Sequence, residues 1–209
     1  IVGGSPSAEG AFPYFTAHSG FECGASLIYE DMVLTAAHCE GIWDEVRIGV
    51  QDASDSNDGV FRRVIREIIH PNYSGGVNDI MLLNLESPVS IQPVVYEKSE
   101  NAPSSGETLT VMGFGLTSEE GDDSSVLMQV DVLAVDDSTC NSQYDGAIDV
   151  DVEFCAGVPN GGKDRKECGN GKGIDERQDQ YVRGTFGSGE IHLGECTGTW
   201  ASTQDCRNF

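Results

Sequence analysis

The chain has 209 residues and a formal net charge of -23, from 35 acidic against 12 basic side chains. Such a charge repels nucleic acid and anionic membrane surfaces, which argues against both as partners. The length allows one or two compact units with a real core, and no apolar run approaches the roughly 18–20 residues that span a bilayer, so a soluble chain is expected.

From Ile1 to about residue 164 the chain consists of short apolar runs separated by Gly, Pro, Asn and Asp. In order these are Ala25–Ile28, Met32–Thr35, Val46–Ile48, Ile65–Ile69, Asp79–Leu85, Thr108–Met112 and Val130–Val135. Runs this short, rich in β-branched residues and regularly spaced, predict an all-β barrel or sandwich. His18 is expected in a surface strand. The stretch Pro93 to Glu107, with Pro103 and Gly106, reads as the connection between two β units. Only Asp137 to Tyr144 has a helical pattern, with Asp137 or Ser138 as its cap. The acidic runs Asp52–Asp58 and Glu119–Asp123 read as solvated loops. Hard oxygen ligands at Asp52, Asp55 and Asp58 leave a calcium loop as the alternative, although their spacing fits no specific calcium motif.

Seven cysteines in this length suggest an oxidising compartment if they pair. Cys23 and Cys39 flank a hairpin-like stretch ending at His38, and Cys140 and Cys155 flank another loop. Cys168, Cys196 and Cys206 form an odd set, which signals a free thiol or a disrupted framework. Asn72-Tyr73-Ser74 is a glycosylation sequon, consistent with secretion. The start at Ile1 is read as a mature or trimmed product.

The composition changes after Asp164. Residues 165–209 scatter eight glycines among polar and charged residues, with no strand alternation and no helical face. No apolar run there is expected to complete a barrel.

His38 and Asp79 suit a general base and its orienting carboxylate. A carboxylate on one imidazole nitrogen fixes the tautomer and stabilises the imidazolium formed when the other nitrogen takes a proton. Context gives the two residues weight. Ile1-Val2-Gly3-Gly4, Cys23-Gly24-Ala25-Ser26-Leu27-Ile28, Thr35-Ala36-Ala37-His38-Cys39, His70-Pro71-Asn72-Tyr73, Asn78-Asp79-Ile80-Met81-Leu82 and Gly113-Phe114-Gly115 follow one another in order. Cys140 to Cys155, Ala156-Gly157 and Gly161-Gly162-Lys163-Asp164 complete the series. Over residues 1–164 the chain resembles the trypsin/chymotrypsin family of serine proteases.

The resemblance implies a double β-barrel, with the first barrel over roughly residues 15–95 and the start of the second over roughly 105–164. It implies disulfides Cys23–Cys39 and Cys140–Cys155, His38 as base and Asp79 as its partner. Asp164 takes the place of the carboxylate that binds Arg or Lys side chains. Ile1 takes the place of the freed amine that pairs with an aspartate beside the nucleophile. The family's activity is endopeptidase cleavage of proteins or peptides after Arg or Lys, by a secreted zymogen-derived monomer without metal or cofactor.

The family's Gly-Asp-Ser-Gly-Gly-Pro does not follow Asp164. Aligned without gaps, Asn170 stands at the nucleophile and Gly169 at the aspartate; aligned on Cys168, the positions are Gly171 and Asn170. None of these carries a hydroxyl for an acyl intermediate. Ser188 lies 24 residues past Asp164 without a preceding Asp, and reads as a turn serine. His192 with Cys196 and Cys206 matches no zinc pattern. The second barrel is therefore expected to be incomplete and the chain as written inactive. Residues 165–209 read as a non-family tail, of the kind a retained intron or a frameshift produces: Arg165-Lys166 encoded CGT-AAG would contain a splice-donor start. The alternative is a non-catalytic pseudo-protease that binds proteins through the surviving barrel surface.

Overall fold

The computed structural model describes residues 1–74, 78–95, 103–117, 122–144, 146, 154–157, 181–184 and 190–192. After a two-residue strand β1 (Ser5–Pro6), six strands close a barrel: β2 (Phe15–His18), β3 (Gly24–Tyr29), β4 (Met32–Thr35), β5 (Glu45–Ile48), β6 (Val60–Ile69) and β7 (Met81–Leu85). Their order around the barrel is β2-β3-β4-β7-β6-β5, antiparallel throughout. Closure leaves no strand edge open in this unit. Phe15, Leu27, Val33, Val46, Ile48, Met81 and Leu83 fill the interior at 0–1% exposure, each worth roughly 1.5–3 kcal/mol relative to exposure.

A second, open sheet contains β8 (Thr108–Gly113), β9 (Met128–Val135) and β10 (Phe154–Gly157). Along β9, Met128, Val130, Val132 and Ala134 face inward, and Asp131 and Leu133 face out. This is the period-2 pattern of a sheet buried on one face. β1 pairs with the first two residues of β9, and β10 pairs with its last three on antiparallel register. Phe114, just past β8, packs on Phe15 and Phe21 of the first barrel at ring-centroid distances of 5.8 and 4.9 Å. Among the described residues the architecture is thus mostly β, with one closed barrel and a second, incomplete sheet.

Helix α1 (Asp137–Gln143) occupies the expected span. Its cap is Asp136, not Asp137 or Ser138. The Asp136 carboxylate accepts the Thr139 N–H at 2.9 Å and the Ser138 hydroxyl at 2.5 Å, which meets one of the helix's orphan donors. These hydrogen bonds, the Ser138 hydroxyl first and Thr139 after it, pull the Asp136 carboxyl down from 3.8 to about 2. Both disulfides implied by the resemblance, Cys23–Cys39 and Cys140–Cys155, are formed; a loop of this length contributes about 3 kcal/mol in the chain-entropy account.

The sequence pattern predicts no strand beyond Asp164, and here the structure differs. β11 (Tyr181–Gly184) pairs antiparallel with β10, and β12 (Glu190–His192) pairs parallel with β8. The open edges of β8 and β10 offer backbone donors and acceptors, and a ladder made of main-chain groups needs no apolar alternation in the added strand. No described helix is long and apolar enough to cross a membrane.

Candidate active site

β4 ends at Thr35, whose hydroxyl donates to the Gly24 carbonyl at 2.9 Å. The chain then enters a 3-10 turn, Ala37–Cys39, held to the head of β3 by the Cys23–Cys39 disulfide. His38 sits in the middle of this turn. Beyond it, Gly41 at φ 85° aims its N–H at both oxygens of the Glu67 carboxylate, 3.3 and 3.0 Å away, tying the turn to β6.

Asp79 approaches from the neighbouring strand, because β7 pairs with β4 and sets Met81 opposite Thr35. Asn78 adopts φ 55°, a left-handed conformation that asparagine tolerates better than most residues. Its side-chain amide donates to the Asn72 carbonyl at 3.2 Å. That kink turns the next side chain inward before β7 begins, leaving Asp79 3% exposed.

The two residues meet at two points. Asp79 Oδ2 lies 2.6 Å from His38 Nδ1, and Asp79 Oδ1 accepts the His38 backbone N–H at 2.8 Å. An ionised carboxylate only accepts, so the Nδ1 proton is the one shared and the lone pair falls on Nε2. Nε2 has no hydrogen-bond partner among the described residues. A histidine held this way takes a proton at Nε2 and returns it without turning its ring.

The Sγ atoms of Cys23 and Cys39 and a His38 ring nitrogen lie within 4.8 Å of one another, a grouping that elsewhere holds metal. Both sulfurs are joined in the disulfide, so neither offers the group a thiolate ligand.

Tyr73 escaped the sequence reading. Burial first, then the negative charges of Asp79 and Glu40, raise its phenol above the ordinary tyrosine value. Only its position between His70-Pro71 and Asn78-Asp79 marked it out in advance.

The Ile1 amine donates to the carbonyls of Gly115 and Leu116 at 2.7 and 2.6 Å. Its side chain, 4% exposed, joins Leu109, Val130, Phe154 and Ala156 in the second core. The N-terminus is therefore docked into the second sheet, on backbone oxygens at the end of the Gly113-Phe114-Gly115 motif.

The loop that carries Asp52, Asp55 and Asp58, the calcium alternative, closes around Arg47. This residue sits between the inward-facing Val46 and Ile48 on β5, points out of the barrel, and is still only 4% exposed. Its guanidinium donates to the carbonyls of Asp52, Ala53, Asp55 and Asp58 at 2.6–3.4 Å. The rings of Phe21 and Phe61 cover it at 5.3 and 5.1 Å. A protein cation occupies the centre of the loop. The carboxylates turn to local donors instead: Asp58 to the Gln51 and Asp52 amides, Asp52 to Ser54, Asp55 to Asn57. An arginine between two core residues was the signal for it.

His18 ends β2 but is 13% exposed rather than on the surface. It packs edge-on to Trp43 at 5.7 Å and accepts the Gly20 N–H at 3.2 Å. Asp164, Gly169, Asn170, Gly171 and Ser188 lie outside the described residues, as does the His192 side chain.

A closed antiparallel barrel beside a second sheet, with a buried aspartate orienting a histidine at the barrel's end, defines a β protein with a histidine–carboxylate pair. The family model described as Trypsin matches residues 1–170. Cationic trypsin-3 of Rattus norvegicus is 36% identical over 172 residues, covering 78% of this chain and 69% of that protein. Trypsin of Sus scrofa is 35% identical over 173 residues, covering 78% and 74%. Trypsin-1 of Astacus astacus is 33% identical over 189 residues, covering 78% and 77%. The chain belongs to the trypsin family of serine proteases.

Proposed function

We propose that the gene encodes a secreted trypsin-like endopeptidase that cuts proteins or peptides after Arg or Lys, and that the chain as written does not complete the reaction. The observation that carries this is the His38–Asp79 pair at 2.6 Å, which is arranged to activate a hydroxyl. His38 is the base, Asp79 its orienting acid, and Asp164 the carboxylate that selects a cationic side chain. Asn170, Gly169 and Gly171 supply no nucleophilic oxygen, so no acyl intermediate forms.

Sequencing the mature message across the codons flanking Asp164 tests this. A spliced message encoding Asp-Ser in the family's motif supports the reading. A message that encodes Arg165 to Phe209 sinks it.

A second reading is a protein-binding pseudo-protease. It is favoured by β11 and β12, through which residues after Asp164 enter the second sheet. It predicts a stable 209-residue secreted chain that a fluorophosphonate does not label; labelling of this chain contradicts both readings of it.

A further inference from the structure

We propose that Asn72 carries an N-linked oligosaccharide at the rim of the histidine–aspartate pair. Of the nine asparagines in the sequence, only Asn72 is followed by the Asn-X-Ser/Thr pattern, with Tyr73 rather than proline in the middle. The surroundings suit a modified side chain. Asn72 and Ser74 are both exposed, on the turn that leaves β6. The Asn72 backbone is held on both sides, its N–H by His70 Nδ1 at 3.3 Å and its carbonyl by Asn78 Nδ2 at 3.2 Å. The next N–H, from Tyr73, donates to the His70 carbonyl at 3.0 Å. The Asn72 side-chain amide makes no hydrogen bond to any described residue, so a substituent on Nδ2 breaks no contact.

The transfer is a substitution at the anomeric carbon of a polyprenyl-diphosphate-linked oligosaccharide. A bond forms from that carbon to Asn72 Nδ2, the bond to the diphosphate oxygen breaks, the amide loses one proton, and the lipid diphosphate leaves. It needs the secretory lumen and so rests on the reading of the chain as secreted, which the two disulfides support. Tyr73 lies close enough to Asp79 to feel its charge, and Asn78, which holds the Asn72 carbonyl, immediately precedes Asp79. The oligosaccharide consequently stands on the same turn as the approach to the His38–Asp79 pair, where its bulk would hinder a folded protein more than a short peptide.

The full chain, placed behind a cleavable leader and translated into microsomes, tests the site. The lumenal, protease-protected product is expected to run above its unmodified mass and to return to it on digestion with peptide N-glycosidase. N72Q and S74A abolish the step, whereas S74T keeps it, which separates glycosylation from a general effect on folding. A protease-protected chain at its unmodified mass overturns the proposal. The natural transcript is read separately: one with no leader ahead of Ile1 overturns the secreted reading, and the modification in the cell with it.

Discussion

Asp79 grips His38 by ring and backbone together, with Oδ2 2.6 Å from Nδ1 and Oδ1 2.8 Å from the His38 N–H. The second contact fixes the height of the 3-10 turn, so the ring's direction and the turn's position depend on one carboxylate. Asp79→Ala leaves the backbone N–H without this acceptor and is expected to cost about 1–3 kcal/mol. Asp79→Asn tests the tautomer. An asparagine keeps the backbone bond through its oxygen and presents an NH2 to the ring, which forces Nδ1 to accept and moves the proton to Nε2. The imidazole nitrogen-15 shifts of His38 should exchange their pattern between parent and D79N. Unchanged shifts would show that Asp79 does not set the tautomer.

Tyr73 reports the same carboxylate from a different direction. Burial is the main reason its phenol is raised, with Asp79 and Glu40 adding to it. A nearby negative charge disfavours phenolate, so removing it lowers the value. D79N should therefore bring the tyrosinate transition of Tyr73 partway down, leaving the burial contribution. A transition that stays in place in the D79N difference spectrum would put Tyr73 out of electrical reach of the site.

The barrel was legible because its strands obey local rules. Met32–Thr35 is the same segment in pattern and in structure, and Val46–Ile48 and Thr108–Met112 differ from theirs only at the ends. The His38–Asp79 pairing was legible through motif order, since nothing local in either residue states that they meet. Long-range geometry was hidden. The Asp136 cap lies one residue before the predicted options because a cap is recognised by the side chain reaching forward three positions, a choice that three neighbouring polar residues share. Arg47 passed unremarked inside the run Val46–Ile48, and only the folded loop shows what its charge meets. β11 and β12 join through backbone groups, which leave little trace in side-chain pattern.

Arg47 makes a prediction about metals. Its guanidinium gathers four carbonyls of the 52–58 loop in a place largely closed to water. A divalent ion there would have to displace it. The melting temperature of the parent protein should be unmoved by calcium or by a chelator. Arg47→Met retains apolar contact with Phe21 and Phe61 but abandons the carbonyls, and should cost about 3 kcal/mol. A chelator-sensitive melting temperature in the parent would restore the calcium reading.

The cap on α1 carries an acid dependence whose sign is fixed by its lowered value. The Asp136 carboxyl sits at about 2 in the folded chain against 3.8 for the free group. As pH falls below 3.8 the unfolded carboxyl binds its proton first, so stability from the cap is full above that value and is lost as pH falls through about 2. Asp136→Ala should melt lower than the parent in neutral buffer, with the gap closing at pH about 2. Asp136→Asn, which still caps but does not titrate, should flatten this part of the profile. A gap between parent and D136A that persists at the acid end would assign the effect to packing.

Gly4 links the N-terminus to the second sheet. A Cβ there would stand 2.8 Å from the Gln129 carbonyl oxygen and 3.1 Å from the Ile1 Cγ2 atom. The first neighbour is backbone inside β9, between β1 on one side and β8 on the other, and it cannot yield without disturbing both ladders. The N-terminal segment must move instead. Gly4→Ala should therefore lift Ile1 out of the second core and release its amine from Gly115 and Leu116, at a cost of about 1–3 kcal/mol. The readout is direct, because an amine held on two carbonyls is shielded and a displaced one acylates readily. Faster acylation of Ile1 in G4A than in the parent is the expected result. Equal rates would mean that the added methyl is accommodated without lifting Ile1 from the second core.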